Sequence, residues 1–389
     1  MRLSGSFSAE TQAEFFKAES EMIRFGERAI NKKCAKHMRK TLLGIDAVFA
    51  VLMSHETILP AASLIVAYDV ASWKYRGDVE RCFNASRIDF GFPEGCREEA
   101  LEALHYMQAL EWLSQTITPD FKATPDTIVE LHGILTNGIG NNFAADGFRN
   151  TYLPHKKGSA PEKIPLEIRE LCQFCNADLI TPLGQASVIH HAFERIVPFD
   201  TLIDRTGLLF AFMPFFRRGL FVDGYVVPIC WGATLEREYR KKLKDSSRES
   251  PSSRAHVYYR ERWAVYNARN THLAVVIADS FLSKADALRD KWRSQIQKIP
   301  ANSALDKLLD VFLALPNLTT KHAAGIIGKS YGATNEAMNQ LVKAGIVTEA
   351  SLDNRERLFK CQQSAAMITD FVDELVKMRA SVKDSTDLL

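Results

Sequence analysis

The chain has 389 residues, of which 46% are hydrophobic and 25% charged, and its formal net charge is +2 at pH 7. This composition is typical of a globular protein with a substantial core, and the length predicts two or three domains. The balanced charge excludes general electrostatic attraction to nucleic acid or membrane, so such a partner would need a local surface. No apolar run reaches the roughly 20 residues of a membrane span, and the N-terminus lacks the apolar stretch of a secretory signal. We therefore expect a soluble, cytoplasmic protein without a membrane partner.

Seven cysteines are scattered along the chain, and Cys172 and Cys175 form one CxxC pair. An odd number of cysteines, with no second pair at zinc-ligand spacing, is typical of reduced thiols. The pair lies inside an amphipathic helical pattern, which favours core packing over a redox-active pair.

Apolar residues recur every three or four positions through much of the chain, which predicts a mainly helical fold. The predicted helices are Ala9–Ile30, Arg39–Met53, Glu98–Leu113, a helix from Pro125 to about Gly138, Pro165–Asn176, Gly184–Arg195, an apolar helix after Leu208, Pro228–Leu243 and the long Thr271–Ile296. Residues 141–163, rich in Gly, Pro, Asn and Lys, predict a loop or a small β-hairpin.

The C-terminal region predicts three helices and a hairpin, the order of a winged helix-turn-helix. The helices are Ala304–Leu315, a short helix capped by Thr319 and ending at Ile327, and Tyr331–Ala344; strands follow at Ile346–Thr348 and Arg357–Phe359. On the third helix, Met338, Leu341 and Val342 are expected to pack inward. The candidate nucleic-acid contacts are Ser330, Thr334, Asn335, Asn339 and Lys343, expected on the outer face, with Arg355 and Arg357 of the wing.

The central segment reads HHAFERI over residues 190–196 and VPFDTLIDRTGL over 197–208. Without a gap, it resembles the H-P-F-x-[DE]-G-N-G-R-x-x-R signature of the Fic family, whose members mostly transfer AMP from ATP to a protein hydroxyl. Further segments resemble the family in order and spacing: Ala85–Phe90, Leu104–Leu110, Leu131–Leu135, Phe148–Arg149 and Leu235–Tyr239. A C-terminal winged helix is a common attachment in bacterial members.

The resemblance implies a fold, and it also implies that the catalytic and magnesium-binding residues of the signature are absent. It implies a Fic-type helical core with a small β-hairpin flap, beside an N-terminal helical region and an α+β winged helix-turn-helix. Val197 stands where the family has the histidine that takes the proton of the target hydroxyl, and valine cannot accept a proton. Thr201 stands where a carboxylate holds Mg²⁺ on the phosphates. We therefore expect no catalytic residue at the signature.

The phosphate cradle of the signature is also altered. Leu202 and Ile203 add bulk where glycine and asparagine let backbone N–H groups approach phosphate. Asp204 adds a negative charge there, and Leu208 replaces the arginine that grips the terminal phosphate. Of the signature, Pro198, Phe199 and Arg205 remain, and we interpret Phe199 as a core anchor.

The S-S-x-I-E-G inhibitory motif of the family is degenerate too. Its counterpart contains Ala85, Asp89 and Phe90, and the arginine that should pair with the acidic residue is Leu208. A site that no longer handles ATP would not need this restraint.

Three alternatives stay open at this site. His190 or His191 could replace the lost base, although a structural role is favoured. Asp200 and Asp204 could hold a metal, although solvated carboxylates are the commoner case, and we predict no metal site. Arg205 could bind an anion, or it could cap a carbonyl or pair with one of these aspartates.

We expect a catalytically inactive binding or regulatory protein that needs no cofactor and acts on an unidentified protein partner. Contact with DNA through the winged helix, a homodimer, and a scaffold whose flap, Arg149–Pro161, pairs with an extended peptide are further hypotheses. The alternative is an active transferase with a non-standard site, which would use ATP and Mg²⁺.

We predict four segments along the chain. Residues 1–120 form the N-terminal helical region, 121–296 the Fic-like core, 300–362 the winged helix-turn-helix, and 363–389 a C-terminal helix and tail.

Overall fold

A computed structural model describes residues 6–32, 34–52, 97–136, 147–153, 158–227, 254–296, 298–353 and 356–382. Several predictions lie outside these residues: the inhibitory-motif counterparts Ala85, Asp89 and Phe90, the helix Pro228–Leu243, and Arg355 of the wing. Among the described helices, none combines the length and the hydropathy that a membrane span needs.

The described part of the chain is mainly helical, with one small antiparallel sheet. The helices are α1 (Ala9–Ile30), α2 (Ala35–Leu52), α3 (Arg97–Thr116), α4 (Pro125–Thr136), α5 (Ile164–Asn176), α6 (Pro182–Ile196), α7 (Ile203–Arg217), α8 (Arg254–Gln295), α9 (Ala304–Ala314), α10 (Thr320–Ile327), α11 (Tyr331–Lys343) and α12 (Gln362–Val382). The strands are β1 (Asn317–Thr319), β2 (Thr348–Asp353) and β3 (Glu356–Lys360). The mainly helical fold class is therefore confirmed.

Several predicted boundaries differ from the observed ones. Helix α8 begins at Arg254 instead of Thr271, and α7 begins at Ile203, inside the signature segment instead of after it. The predicted loop or hairpin carries no strand in its described residues, 147–153 and 158–163, where a short 3₁₀ turn covers Pro161–Lys163.

The chain divides into two compact units. The first comprises residues 1–27, 49–54 and 101–276, and the second comprises 28–48, 55–100 and 277–389. Each of these units combines stretches that are far apart in sequence, whereas each of the four predicted segments is one continuous stretch. The four segments remain a prediction.

Helices α6 and α7 pack closely against each other in the core of the first unit. Gly207 lies so close to Phe193 that a Cβ there would meet the ring at 2.7 Å. From α8, the Trp263 indole donates a hydrogen bond of 3.0 Å to the Ser187 carbonyl. Cys172 and Cys175 of α5 are buried, and burial raises the pKa of both thiols to about 12, consistent with core packing.

The second unit contains the three-helix region and the sheet, in strand order β1-β3-β2. Thr319 caps α10 by accepting from the His322 backbone N–H, and Gly328 ends it at a φ of 63°, as predicted from the sequence. Strand β1 was not predicted; it pairs antiparallel with β3, with Leu318 opposite Phe359. This order of elements is consistent with a winged helix-turn-helix.

Candidate functional site

The signature segment forms the connection between α6 and α7. Helix α6 ends at Ile196 because the proline at position 198 disfavours the helical conformation of Val197, which adopts a φ of 53° and a ψ of 65°. Leu202, just before α7, is also left-handed, with a φ of 48°. Left-handed backbone is unfavourable for branched side chains, and position 202 is a glycine in the signature. Val197 and Leu202 thus both adopt a backbone conformation that branched side chains rarely take.

Phe199 anchors this loop in the core, as predicted. It is 3% exposed, and its ring stacks on that of His132 with centroids 3.7 Å apart and planes within 4°. Rings of Phe148 and Phe193 lie 5.5 and 6.4 Å away. Nδ1 of His132 lies 3.1 Å from Oγ1 of Thr206, at the start of α7, and burial lowers the pKa of the imidazole to about 4. Phe199 therefore supports the fold of the loop.

Arg149 ties the preceding segment to the loop entirely through backbone carbonyls. Its Nε donates to Val197 O at 2.6 Å, and its Nη1 donates to Thr151 O at 2.7 Å. Its Nη2 donates to Ser159 O at 2.5 Å and reaches Ile196 O at 3.5 Å. The Arg149 side chain is thus a buried brace that joins Thr151 and Ser159 to the end of α6.

Three of the six substituted signature positions hold buried apolar side chains. Val197 is fully buried, and its Cβ lies where a Cβ on Gly158 would meet it at 2.8 Å. Ile203 and Leu208 are 4% and 5% exposed, whereas Leu202 and Thr201 are half-buried. Core packing therefore occupies the positions where the signature offers a base and phosphate ligands.

Arg205, the charged signature residue that remains, is neutralised inside the protein. The guanidinium is buried, and its Nη2 lies 2.8 Å from Oε2 of Glu102 on α3. Its Nε donates to the carbonyl of Ala50 at 3.4 Å. Burial lowers the pKa of Arg205, and the charges of Glu102 and Asp204 oppose that shift. A carbonyl contact was one of the alternatives left open for Arg205, whereas its ion-pair partner Glu102 was not among the aspartates expected from the sequence.

These residues do not fit magnesium–ATP. A triphosphate needs uncompensated positive charge and open N–H groups, and Mg²⁺ needs carboxylate oxygen. Here the Arg205 charge is compensated, Thr201 offers a hydroxyl, and Asp204 adds negative charge to the first turn of α7.

The two candidate replacement bases are buried. His190 is 4% exposed and packs edge-on to Trp263, with ring centroids 5.6 Å apart. Burial lowers its pKa to about 4 against an opposing effect of Asp204. His191 is 6% exposed. Both positions favour the structural interpretation.

The predicted aspartate pair is divided by environment. Asp200 is exposed, and Asp204 is half-buried at the start of α7. Over the described ranges, no three His, Cys, Asp or Glu side chains come together in a manner that could hold a metal ion.

The candidate nucleic-acid residues on α11 are not all outward-facing. The prediction for Thr334 is wrong: its side chain is fully buried, because Oγ1 donates to the Ser330 carbonyl at 2.8 Å and no longer needs water. Ser330 and Lys343 are exposed, and Asn335 and Asn339 are half-buried. Of the residues expected inward, Met338 and Leu341 are buried and Val342 is half-buried.

Arg357 on β3 is held by other side chains. It makes a two-point ion pair with Glu349, with Nε and Nη2 at 2.5 and 2.6 Å from the carboxylate oxygens. It also donates to Oδ1 of Asn335 at 3.0 Å and of Asn339 at 3.1 Å. The hydrogen bond to Glu349 raises the pKa of Arg357, and the reciprocal bond lowers the pKa of Glu349. Arg357, a candidate nucleic-acid contact, is thus engaged by three side chains of the protein itself.

In the first unit, Arg149 braces the loop between α6 and α7. This loop carries the part of the signature that the sequence retains. The sequence profile of the Fic/DOC family matches residues 122–213, which span this helix pair and its loop. Residues 122–213 are therefore similar to the Fic/DOC family.

Two solved structures are similar to this chain. A crystal structure of a Fic family protein from Desulfovibrio desulfuricans G20 matches over 92% of this chain and 97% of its own, with 10% identity and a TM-score of 0.46. A Fic domain containing signaling protein from Bacteroides thetaiotaomicron VPI-5482 matches over 69% of this chain and 98% of its own, with 15% identity and a TM-score of 0.46. No curated protein matches significantly.

Proposed function

We propose that this protein is a non-catalytic binding or regulatory protein of the Fic family. The observation that carries the proposal is the buried pair of Arg205 with Glu102, 2.8 Å apart. An arginine that binds a phosphate must exchange its partner for the anion. Here that exchange would leave the Glu102 carboxylate buried beside a polyanion, at a large cost in free energy.

Two further features support the proposal. General-base catalysis needs a titratable group within reach of the target hydroxyl, and Val197, fully buried against Gly158, is no such group. His190 has a pKa of about 4 and lies in the core against Trp263. The retained loop then serves as a shaped surface for a protein partner.

The first experiment incubates the purified protein with ATP labelled on the α-phosphate, with Mg²⁺, and with a lysate as a source of targets. We expect neither self-labelling nor labelling of other proteins. Titration calorimetry with magnesium–ATP is expected to give no heat of binding.

The alternative, a transferase with a non-standard site, predicts the opposite result. A Mg²⁺-dependent label that disappears on Arg205→Met would contradict the non-catalytic proposal, provided that circular dichroism finds the variant folded. A matched control is Arg218→Met, an arginine outside the signature that is part-exposed and bonds the Ile180 carbonyl.

We also propose, as a second function, that residues 304–360 contact DNA. The winged-helix order of elements supports it, and so do the exposed residues Ser330 and Lys343 at the two ends of α11. Fluorescence anisotropy with labelled duplexes tests this function, and salt-sensitive binding weakened by Lys343→Ala is the expected result. Failure to bind any duplex would leave protein docking as the role of this region.

A further inference from the structure

The cluster that Arg357 forms with α11 restricts how this helix can meet a ligand. An arginine side chain only donates hydrogen bonds, so the atom that each asparagine turns toward Arg357 must be its carbonyl oxygen. The two distances, 3.0 Å to Asn335 and 3.1 Å to Asn339, have this orientation. Arg357 thereby fixes the rotation of both amide groups.

The fixed rotation leaves the amide nitrogens for other partners. Within the described residues, neither Nδ2 has a hydrogen-bond partner, and both side chains are half-buried rather than enclosed. Positions 335 and 339 are four residues apart on α11 and so lie on the same face, one turn from each other. The face therefore offers two N–H donors, while the matching acceptors are engaged.

Arg357 itself is poorly placed to bind phosphate. It makes four hydrogen bonds, two of them to the Glu349 carboxylate, which cancels its charge. Its guanidinium carbon also lies 4.9 Å from the centroid of the Phe359 ring. These contacts give it a fixed position between the strands and the helix.

The orientation of the two asparagine amides favours some bases over others. Asparagine normally selects adenine by donating to N7 and accepting from N6, which requires both amide atoms. Each Oδ1 already accepts from Arg357, and this bond turns the oxygen toward the arginine, so the adenine pairing is disfavoured. Guanine offers two acceptors, O6 and N7, on its major-groove edge, and these suit donors alone.

We propose that α11 prefers guanine-containing major-groove sites, read by the amide nitrogens of Asn335 and Asn339, and that Arg357 is the positioning residue that sets this preference. The proposal rests on the second function, DNA contact by residues 304–360. Asn335 and Asn339 lie one turn of α11 apart, so we expect each amide nitrogen to contact its own guanine, with the two guanines adjacent in the duplex.

The test is selection from short duplexes with a randomised centre, followed by affinity measurements on the enriched duplex and on its guanine-to-adenine variant. For the full-length protein we expect enrichment of adjacent guanines and about tenfold weaker binding to the adenine duplex. Arg357→Met frees both amides to rotate, so the preference should fall toward equality or shift to adenine.

Two variants separate positioning from charge and from stability. Lys343→Ala removes one positive charge from the same helix and should weaken binding to both duplexes alike. The double variant Asn335→Ala/Asn339→Ala keeps the Arg357–Glu349 pair and should lose the preference, so the proposal stays testable if Arg357→Met fails to fold.

The possible results separate the guanine preference from DNA contact itself. Binding with no preference, or with a preference for adenine, would overturn the guanine proposal and leave DNA contact standing. A guanine preference that survives Arg357→Met in a folded protein would overturn the positioning role. Failure of the wild-type protein to bind any duplex would overturn both.

Discussion

At the scale of single residues, the site contains one buried ion pair. Arg205 and Glu102 are both largely removed from water, and each is the counter-charge of the other. Buried ion pairs contribute little net stability, because desolvation of both charges offsets their attraction. Their loss one partner at a time is costly, because the remaining charge is then buried alone.

Substitutions in this pair are expected to be strongly non-additive. Glu102→Leu or Arg205→Met alone should lower the free energy of unfolding by about 3–5 kcal/mol, whereas the double variant should cost less than either. Urea unfolding of the four proteins gives the coupling energy. Equal and additive losses would indicate two independent side chains.

Buried histidines are expected to make the protein sensitive to mild acid. His132 and His190 have pKa values near 4, below the unfolded value of 6.5, so the folded state favours their neutral forms. Their contribution is present above pH 6.5 and is lost as the pH falls toward 4, by about 2 kcal/mol each near pH 5. Comparing wild type with His190→Gln by urea unfolding near pH 7 and pH 5 cancels the other titrating groups. Between pH 7 and pH 5, the free energy of unfolding of the variant should fall by about 2 kcal/mol less than that of the wild type. An equal fall in both proteins would contradict the lowered pKa of His190.

At the scale of elements, helix contacts depend on a few positions without side chains. The approach of α6 and α7 requires glycine at 207, where Phe193 leaves no room for a methyl group. Gly325, inside α10, has no atom within 4 Å of the position that a Cβ would take. The same substitution should therefore have opposite effects at the two positions.

Gly207→Ala should lower the free energy of unfolding by about 1–3 kcal/mol through overpacking. Gly325→Ala is its matched control and should raise it by about 0.5–1 kcal/mol, since alanine restricts the unfolded chain and favours helix. Thermal unfolding followed by circular dichroism measures both. Similar shifts of the same sign would show that the helix pair relaxes around the added methyl group.

Elements with local signals were predictable from the sequence, and contacts between distant residues were not. Thr319 and Gly328 mark the ends of α10 through capping chemistry within a few residues. Strand β1 has three residues and takes all its pairing from β3, forty residues further on, so no local pattern reveals it. The Glu102–Arg205 pair joins α3 to α7 in the same way, and the signature could reveal only that Arg205 had lost its usual surroundings.

At the scale of the whole molecule, the near-neutral charge limits how the protein can meet DNA. A net charge of +2 provides no long-range field, so binding must depend on cations near the contact. In residues 304–360, Lys321, Lys329 and Lys343 are exposed, whereas Arg357 is paired with Glu349. The electrostatic part of any DNA affinity should be small.

This charge distribution predicts a shallow salt dependence. If the three exposed lysines neutralise about three phosphates, the logarithm of the affinity should fall with the logarithm of salt at a slope near −2.7. Between about 50 and 200 mM salt, the affinity would then drop roughly 40-fold. Anisotropy titrations over that range measure the slope, and a value near −10 would mean that other basic residues line the contact.

The Arg149 brace has a consequence for how freely the loop can change in evolution. Every amino acid, proline included, carries the carbonyl oxygen that such a donor requires, so no exchange of residue 196 or 197 can delete these acceptors. Arg149 holds the backbone through these carbonyl groups, and its hydrogen bonds place no requirement on the side chains of residues 196 and 197. The brace is therefore compatible with many different residues at these two positions.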